Sequence, residues 1–340
     1  MKKIKKLEIF ILLLLLVCLS GFSIANHHRQ SPKQSTEKII RIGVLRVPND
    51  VTAARQMGIL HQQFDKRGVR CEFITFDSGV DANKALMSNS IDVATMGDTN
   101  AVVAMAAQIP AKLIWVNDVI GSNEQLVVRK NRQIHHWQDL VGKKIATPFA
   151  STSHYSLMML LKKHHLIGKV DLIDMQTEEI VAAWNRGDID GAYTWEPSLS
   201  NLAGQKKLID SQKMAKDGHL TANVTLATDR FINSQPQALQ CFVDCLKLIH
   251  TRYQNDPRKI YQSTAQNLKL TPNETKRQIG SARWLAADRI GKFSETEFTK
   301  QFYRTCQFMS DQQTLNSRPG YSNCCQFIDS TYMNRKLVAR

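Results

Sequence analysis

One short stretch of this chain occurs twice, and the two copies lie 98 residues apart. Residues 88–94 read Ser-Asn-Ser-Ile-Asp-Val-Ala, and residues 186–192 read Arg-Gly-Asp-Ile-Asp-Gly-Ala. The same offset carries Asp98 onto Glu196. A period this long exceeds that of the common solenoid repeats. The chain is therefore predicted to contain two units of similar topology.

Short apolar runs alternate with amphipathic stretches in both units. Strands and helices are predicted in alternation at residues 39–45, 51–64, 70–76, 81–88, 91–96 and 99–108, with further strands at 112–119 and 125–129. The second unit repeats this order at residues 144–146, 153–165, 170–175, 178–186 and 189–194. Such alternation indicates an α/β fold of two lobes, each a sheet sandwiched by helices. A helical C-terminal block follows, in which several helices begin near a proline.

The first 25 residues have the layout of a secretory signal peptide. Four lysines precede an apolar run at residues 9–19, which is too short to cross a bilayer comfortably. We predict cleavage after Ala25, a polar tether at residues 26–38 and export to the periplasm. An alternative is a lipoprotein anchored through Cys18, although Val17 is larger than the residue expected before a lipidated cysteine.

The formal net charge of the chain is +15. The signal segment holds four lysines and Glu8, a net +3, so the mature chain keeps 15 − 3 = +12. A basic protein can bind nucleic acid, an anionic membrane or an anionic solute. Export argues against nucleic acid, and the basic residues are spread along the chain.

Six cysteines remain after cleavage, and an oxidising compartment would allow some of them to pair. The sequence does not choose among the pairings. Cys241 and Cys245 lie four residues apart in a helical pattern and so share a face. The Cys-x-x-Cys pairs of zinc sites do not occur, so we predict no metal site.

Three loops that follow predicted strands carry the polar residues suited to a ligand. In the first, the hydroxyls of Ser151, Thr152 and Ser153 bunch at the start of a helix. Free backbone N–H groups and the helix dipole make such a place an anion site. The alternative is an ordinary N-cap by one of the serines, which requires a single hydroxyl.

The other two loops occupy equivalent positions in the two units. Trp195 and Glu196 follow the strand at residues 189–194, and Asp98 and Thr99 follow the strand at 91–96. A tryptophan there can pack on the apolar part of a ligand or face an ammonium group, or it can belong to the core. Asp98 is interpreted as a helix cap, a ligand contact or both.

At these loops the sequence resembles the periplasmic taurine- and alkanesulfonate-binding proteins of ABC importers. Four stretches carry the resemblance: residues 76–79 (FDSG), 121–128 (GSNEQLVV), 148–157 (PFASTSHYSL) and 182–197 (AAWNRGDIDGAYTWEP). The resemblance implies the type II periplasmic binding fold, in which two segments cross between the lobes near residues 127–130 and 224–228. Lobe 1 would then comprise residues 39–127 and 226–340, and lobe 2 residues 128–225.

The resemblance also implies a ligand site. It would hold the sulfonate on Ser151, Thr152 and Ser153, and pack Trp195 on the ligand. An acidic partner for the taurine ammonium is expected at residues 221–224, where this chain has Asn223 in place of an Asp. Either Glu196 or Asp98 then supplies the charge, or the ligand carries no ammonium. The complete predicted site is Asp98, Thr99, Asn123, Ser151, Thr152, Ser153, His154, Tyr155, Trp195, Glu196 and Asn223.

The function implied is that of a soluble, monomeric binding component, without catalytic residues or cofactors. It would capture a small, taurine-like sulfonate and deliver it to an inner-membrane ABC permease. Alkanesulfonates, nitrate or a thiamine-precursor pyrimidine are alternative ligands, and delivery to a sensor is an alternative role. An enzyme on the same fold is a further alternative, in which Ser153 and His154 would be nucleophile and base. Adjacent residues at a helix start usually point apart, and no third orienting group is evident.

Overall fold

The computed structural model describes residues 38–337, apart from the side chains at positions 267 and 268. The predicted signal peptide, its Cys18 and nearly all of the predicted tether lie outside the described residues. The described strands form two sheets of five strands each. In chain order they are β1 (Lys38–Leu45), β2 (Val69–Phe76), β3 (Val93–Gly97), β4 (Ala111–Val119), β5 (Glu124–Arg129), β6 (Lys144–Thr147), β7 (Asp171–Asp174), β8 (Gly191–Trp195), β9 (Gln205–Asp210) and β10 (Ala222–Thr228).

Helices cover both sheets and make up the C-terminal part of the described chain. They are α1 (Asp50–Gln56), α2 (Ile59–Asp65), α3 (Gly79–Met87), α4 (Asp98–Ala106), α5 (Thr152–Lys163), α6 (Thr177–Arg186), α7 (Ser211–Lys216), α8 (Asp229–Ser234), α9 (Pro236–Asn255), α10 (Pro257–Leu268), α11 (Pro272–Ile279), α12 (Ile290–Phe293), α13 (Thr299–Asp311), α14 (Tyr321–Phe327) and α15 (Thr331–Asn334). A π-helical turn joins α12 to α13.

The two sheets share one topology. The first has the strand order β2-β1-β3-β10-β4 and the second the order β7-β6-β8-β5-β9. In the first sheet β1 runs parallel to β3, and β10 runs antiparallel to both β3 and β4. In the second, β6 runs parallel to β7 and β8, and β5 runs antiparallel to β8 and β9. The two-lobed α/β fold predicted from the repeat is confirmed.

The chain changes sheets twice, each time just before a strand that runs antiparallel to its neighbours. It enters the second sheet at residues 120–123 and returns to the first at residues 217–221. β5 pairs with β8 from Glu124 opposite Trp195 onward, so its full length belongs to the second sheet. The crossings therefore precede the positions expected at 127–130 and 224–228. We propose lobe boundaries at these earlier crossings.

Two local features differ from the sequence pattern for physical reasons. The helix expected at residues 51–64 is divided into α1 and α2, because Gly58 lies in the left-handed region at φ 70°. The sequence pattern also does not predict β9, an edge strand with the polar sequence QKKLID. An edge strand with charged side chains is protected against pairing with other chains, but it lacks the apolar alternation that reveals a strand.

Alternating side chains of β5 build the core of the second lobe on both faces of its sheet. Leu126 and Val128 pack in one buried cluster beneath α5, and Val127 packs in the other with Trp184 of α6. Successive strand residues point to opposite faces, so three consecutive apolar residues serve two helical layers. The first lobe has one larger cluster, which includes Phe242 of α9 and Phe302 of α13. The C-terminal helices therefore pack on the first lobe.

A buried polar cluster joins the beginning of the first lobe to its C-terminal helices. The Asp50 carboxylate accepts hydrogen bonds from Trp115 Nε1 at 2.7 Å and Asn117 Nδ2 at 2.6 Å, and lies 3.0 Å from His250 Nε2. His250 Nδ1 donates to the carbonyl of Leu285 at 2.8 Å. Asp50 and His250 are fully buried, so each needs these partners in place of water.

We predict that Asp50→Ala lowers the free energy of unfolding by about 3–5 kcal/mol, because it leaves buried donors without their shared acceptor. Urea denaturation followed by circular dichroism measures this change. Asp65→Ala, which truncates an exposed acid at the end of α2, is the control and should change stability by less than about 0.5 kcal/mol. Equal stability of the two variants would show that the cluster does not support the fold.

Candidate functional site

A cleft lies between the two sheets, where several strands end in loops. Ligands of α/β sheets characteristically bind at such carboxyl ends. The cleft has an empty volume of about 660 Å³, counted to its opening on solvent. Its lining residues are Leu45, Val47, Asp77, Ser78, Gly79, Val80, Gly97, Asn100, Ile120, Asn123, Glu124, Pro148, Phe149, Ser151, Thr152, Gln176, Trp195 and Asn223.

The start of α5 forms one wall of the cleft. Ser151 is the N-cap: its Oγ accepts from His154 N at 3.1 Å and donates to the carbonyl of Pro148 at 2.5 Å. Thr152 Oγ1 donates to Glu124 Oε2 at 2.5 Å. Both hydroxyl hydrogens are thus used within the protein. The donors of this wall that remain for an anion are the backbone N–H groups of Thr152 and Ser153, which have no intrahelical acceptor in the first turn.

Glu124 is a site residue that the sequence did not single out. It begins β5, it is 1% exposed, and its second oxygen accepts from Ser211 Oγ at 2.6 Å. Burial raises the pKa of this carboxyl, and the hydroxyls of Ser211, Thr152 and Ser153 oppose the rise. In the sequence Glu124 precedes an apolar strand and has the pattern of an ordinary surface acid. Only the fold brings the two hydroxyls onto it.

Asp98 lies behind the cleft wall and does not line the cleft. It is the first residue of α4, whose N-cap is Gly97, so Asp98 does not cap the helix through its side chain. Neither carboxylate oxygen has a hydrogen bond of good geometry within residues 38–337. Burial raises the pKa of Asp98 to about 8, the backbone N–H of Ala222 opposes this, and the negative charge of Glu124 adds to it.

Asp118 is a second buried acid behind the cleft that the sequence did not single out. It is 3% exposed, and its Oδ1 accepts from Asn223 Nδ2 at 2.9 Å. Burial raises the pKa of Asp118 to about 7, and the charge of Asp50 adds to the rise. Asn223 itself is half-buried and lines the cleft.

Three of the predicted site residues make other contacts and are absent from the cleft lining. The Glu196 carboxylate accepts from the hydroxyl of Ser200 at 2.8 Å and from its backbone N–H at 3.1 Å. Tyr155 OH accepts from Gln301 at 3.0 Å. The His154 ring stacks on Phe149 with 4.4 Å between centroids, and burial lowers its pKa.

The structure therefore separates the predicted site residues into two sets. Asn123, Ser151, Thr152, Trp195 and Asn223 come together around the cleft. Those that lie behind or beside it are Asp98, Thr99, Ser153, His154, Tyr155 and Glu196.

The two lobes touch at the cleft. A Cβ added to Gly97, at the end of β3, would lie 2.8 Å from Thr152 Cγ2 of the second lobe. Asn100 Nδ2 of α4 donates to the carbonyl of Ala150 at 3.4 Å. Glycine is thus needed at position 97 for the start of α5 to approach β3 this closely.

The charged side chains of the lining are both acidic. They are Glu124 and the exposed Asp77, which pairs with Arg46. Lysine, arginine and histidine are absent from this lining among the described residues. Residues 38–337 also contain no group of three or more His, Cys, Asp or Glu side chains placed to hold a metal ion. An anion in the cleft would therefore depend on neutral donors, namely backbone N–H groups and the side-chain N–H groups of lining residues.

A family model described as NMT1/THI5 like matches residues 61–259, more than half of the chain. The chain belongs to the NMT1/THI5-like family. Within residues 38–337, this NMT1/THI5-like protein has no helix that combines the length and the hydropathy of a membrane span.

Individual relatives agree with the sequence resemblance. The taurine-binding periplasmic protein of Escherichia coli (strain K12) is 36% identical over 177 residues, which are 52% of this chain and 55% of that protein. The chain thus spans about half the length of this curated relative. The alkanesulfonate-binding protein SsuA from Xanthomonas axonopodis pv. citri, solved bound to MOPS, superposes with a TM-score of 0.70 at 20% identity, covering 84% of this chain and 97% of SsuA.

An enzyme shares the same fold. The desulfurization enzyme DSZB superposes with a TM-score of 0.63 at 14% identity, covering 87% of this chain and 98% of the enzyme. At such low identity the solved structures establish the fold alone. The resemblance to the sulfonate-binding proteins is confirmed by the family, the curated relative and the fold together.

We predict that the wild type becomes less stable as the pH rises, and that Asp98→Asn abolishes this pH dependence. The pKa of Asp98 is raised from 3.8 to about 8, so the folded state holds this proton more tightly than the unfolded chain does. The resulting stabilisation is complete below pH 3.8. It declines as the pH rises from there and is lost once the pH has passed about 8. The free energy of unfolding is measured with urea at pH 5 and at pH 8.5. The difference between the variant and the wild type should favour the variant by at least about 1 kcal/mol more at pH 8.5 than at pH 5.

The exposed Asp171→Asn is the control for this pH comparison and should follow the wild type at both pH values. A parallel response of Asp98→Asn and the wild type would mean that Asp98 is ionised in the folded protein throughout this range.

We predict that Gly97→Ala holds the lobes apart, because the added methyl group meets Thr152 Cγ2, at a cost of about 1–3 kcal/mol to the closed arrangement. Small-angle X-ray scattering should give a larger radius of gyration for the variant. Adding Thr152→Ser removes the clashing methyl, keeps the hydroxyl and should restore the wild-type value. An unchanged radius in the single variant contradicts the close contact.

Proposed function

We propose that this chain is the soluble binding component of an ABC importer and captures a small sulfonate in the cleft between its lobes. The observation that carries this proposal is a cleft whose lining has helix N-terminal donors and, within the described residues, no basic side chain. A sulfonate is anionic at every physiological pH. Neutral backbone donors can therefore hold it without a proton exchange and without a counter-charge.

The remaining walls suit a short carbon chain attached to that anion. Trp195 lies across the sheet from Glu124 and borders the cleft with the apolar side chains of Leu45, Ile120 and Phe149. Apolar walls with few polar groups are characteristic of sites for small organic ligands. Nitrate, which has no carbon chain, would leave these walls without a contact.

The relatives support the same class of ligand. The curated relative is named for taurine, a sulfonate, and for the periplasm, and SsuA is named for alkanesulfonates. Location in the periplasm and delivery of the ligand to an inner-membrane ABC permease follow from this proposal. The touching lobes are the arrangement in which a captured ligand would be enclosed.

An enzymatic role has less support from the cleft. The cysteines of residues 38–337 are free thiols at positions 71, 241, 245, 306, 324 and 325, all outside the cleft lining. His154 Nδ1 faces the backbone N–H of Ala150 at 3.4 Å, and its ring stacks on Phe149. His154 is therefore not oriented to act as a base for Ser153, as nucleophilic catalysis would require.

We predict that the mature chain binds taurine or ethanesulfonate in isothermal titration calorimetry, and that Ser151→Ala with Thr152→Ala weakens this binding by about 1–3 kcal/mol. The double variant removes the cap that fixes the loop and the hydroxyl bonded to Glu124, so the N–H donors are no longer held in place.

Thr271→Ala is the matched control, since it removes the N-cap of α11, which is absent from the cleft lining. Its sulfonate affinity should equal that of the wild type. Full affinity in the Ser151/Thr152 variant would move the anion site away from α5, and failure of the wild type to bind either sulfonate would overturn the proposed ligand class.

A further inference from the structure

Acidic side chains gather on one side of the cleft, some in its lining and some directly behind it. Glu124 is in the lining, and the buried Asp98 and Asp118 lie behind it. The negative charge of Glu124 adds to the rise in pKa of both other acids. When they are ionised, these acids favour a ligand that carries a positive charge beside its anionic group.

Asn223 connects this acidic region to the space of the cleft. It lies in β10, opposite Asp118 of β4 on one side and Gly97 of β3 on the other. Its Nδ2 donates to Asp118 Oδ1 at 2.9 Å. Within residues 38–337, no donor bonds to Asn223 Oδ1, and the half-buried side chain lines the cleft.

The bond to Asp118 decides which end of the Asn223 amide is available to a ligand. An ionised carboxylate can only accept hydrogen bonds, so it must face the NH₂ group of the amide. The carbonyl oxygen of the amide is then left as an acceptor. An acceptor backed by a negative charge suits an ammonium group, which has three donors and no acceptor.

The acceptor lies close to the proposed anion donors. Asn223 and Gly97 are opposite residues of adjacent strands, which places their Cα atoms about 5 Å apart. Gly97 in turn lies against Thr152, whose backbone N–H is one of the proposed donors. The Asn223 side chain and the proposed anion donors thus belong to residues that both neighbour Gly97.

We propose that Asp118 is a specificity-determining positioning residue that holds the Asn223 carbonyl toward the cleft, so that the ligand is a short zwitterion with an ammonium group close to its sulfonate. This inference rests on the proposed function and narrows its ligand class. Asp118 acts through Asn223 and does not itself line the cleft. Glu196 is not the cation partner, because it does not line the cleft and its carboxylate is bonded to Ser200.

The test compares taurine with ethanesulfonate, which differs from it by the missing ammonium group. Affinities are measured by calorimetry at pH 8, above the pKa of about 7 for Asp118. The wild type should prefer taurine by tenfold or more. Asp118→Asn keeps the shape of the side chain but lets the Asn223 amide turn either way, since an amide both donates and accepts. This variant should lose about tenfold in taurine affinity and keep its ethanesulfonate affinity within about twofold.

Asn223→Ala tests the same idea without altering a buried acid, and it should reduce the taurine preference to a similar degree. If circular dichroism shows that Asp118→Asn does not fold, the Asn223→Ala variant provides the test. Asp171→Asn is the control, because Asp171 is an exposed acid that is absent from the cleft lining. Its taurine preference should be that of the wild type.

The outcomes separate this inference from the proposed function. Equal binding of taurine and ethanesulfonate by the wild type overturns the zwitterion inference and leaves the sulfonate proposal standing. A taurine preference that survives both Asp118→Asn and Asn223→Ala also overturns it. Binding of neither sulfonate by the wild type overturns the proposed function and this inference with it.

Discussion

The site depends on the buried carboxylate of Glu124. This side chain stands at the first residue of β5, just after the chain crosses between the sheets, and it accepts hydroxyl hydrogen bonds from Thr152 of α5 and Ser211 of α7. A buried acid without such partners would be strongly unfavourable, so the three elements are held together. Thr152 is thereby fixed with its hydroxyl turned to Glu124, which leaves its backbone N–H as the donor at the start of the helix.

The sequence anticipated the architecture better than the details of the site. The repeat around Asp92 and Asp190 predicted two similar sheets, because strand and helix periodicity are local properties that sequence displays directly. The two buried acids Glu124 and Asp118 were missed, because their burial depends on strands that are distant in sequence. Asp118, for example, faces Asn223, which lies 105 residues further along the chain. Glu196 was expected in the cleft but bonds to Ser200, four residues further on, a local contact that the strand pattern does not reveal.

The charge of the chain and the charge of the cleft have opposite signs. The protein carries a formal net charge of +15, yet the charged residues of the cleft lining are Asp77 and Glu124. The overall positive field can attract anions toward the protein, whereas selection at the cleft depends on short-range hydrogen bonds and dipoles. Screening by salt weakens long-range attraction much more than contacts between buried groups. Under the proposed function, different parts of the molecule would govern capture and selectivity.

The shared topology of the sheets has a consequence for the order in which the chain can assemble. The strands of the second sheet, β5 to β9, are contiguous in sequence, so that sheet can form from one uninterrupted segment. The first sheet cannot, because β10 lies between β3 and β4 and enters the chain only after the whole second sheet. Until β10 arrives, β4 has no neighbour in its sheet. A chain that emerges from its amino terminus therefore completes its second lobe before its first, and the closing of the first sheet is also the step that draws Asn223 into place beside the cleft.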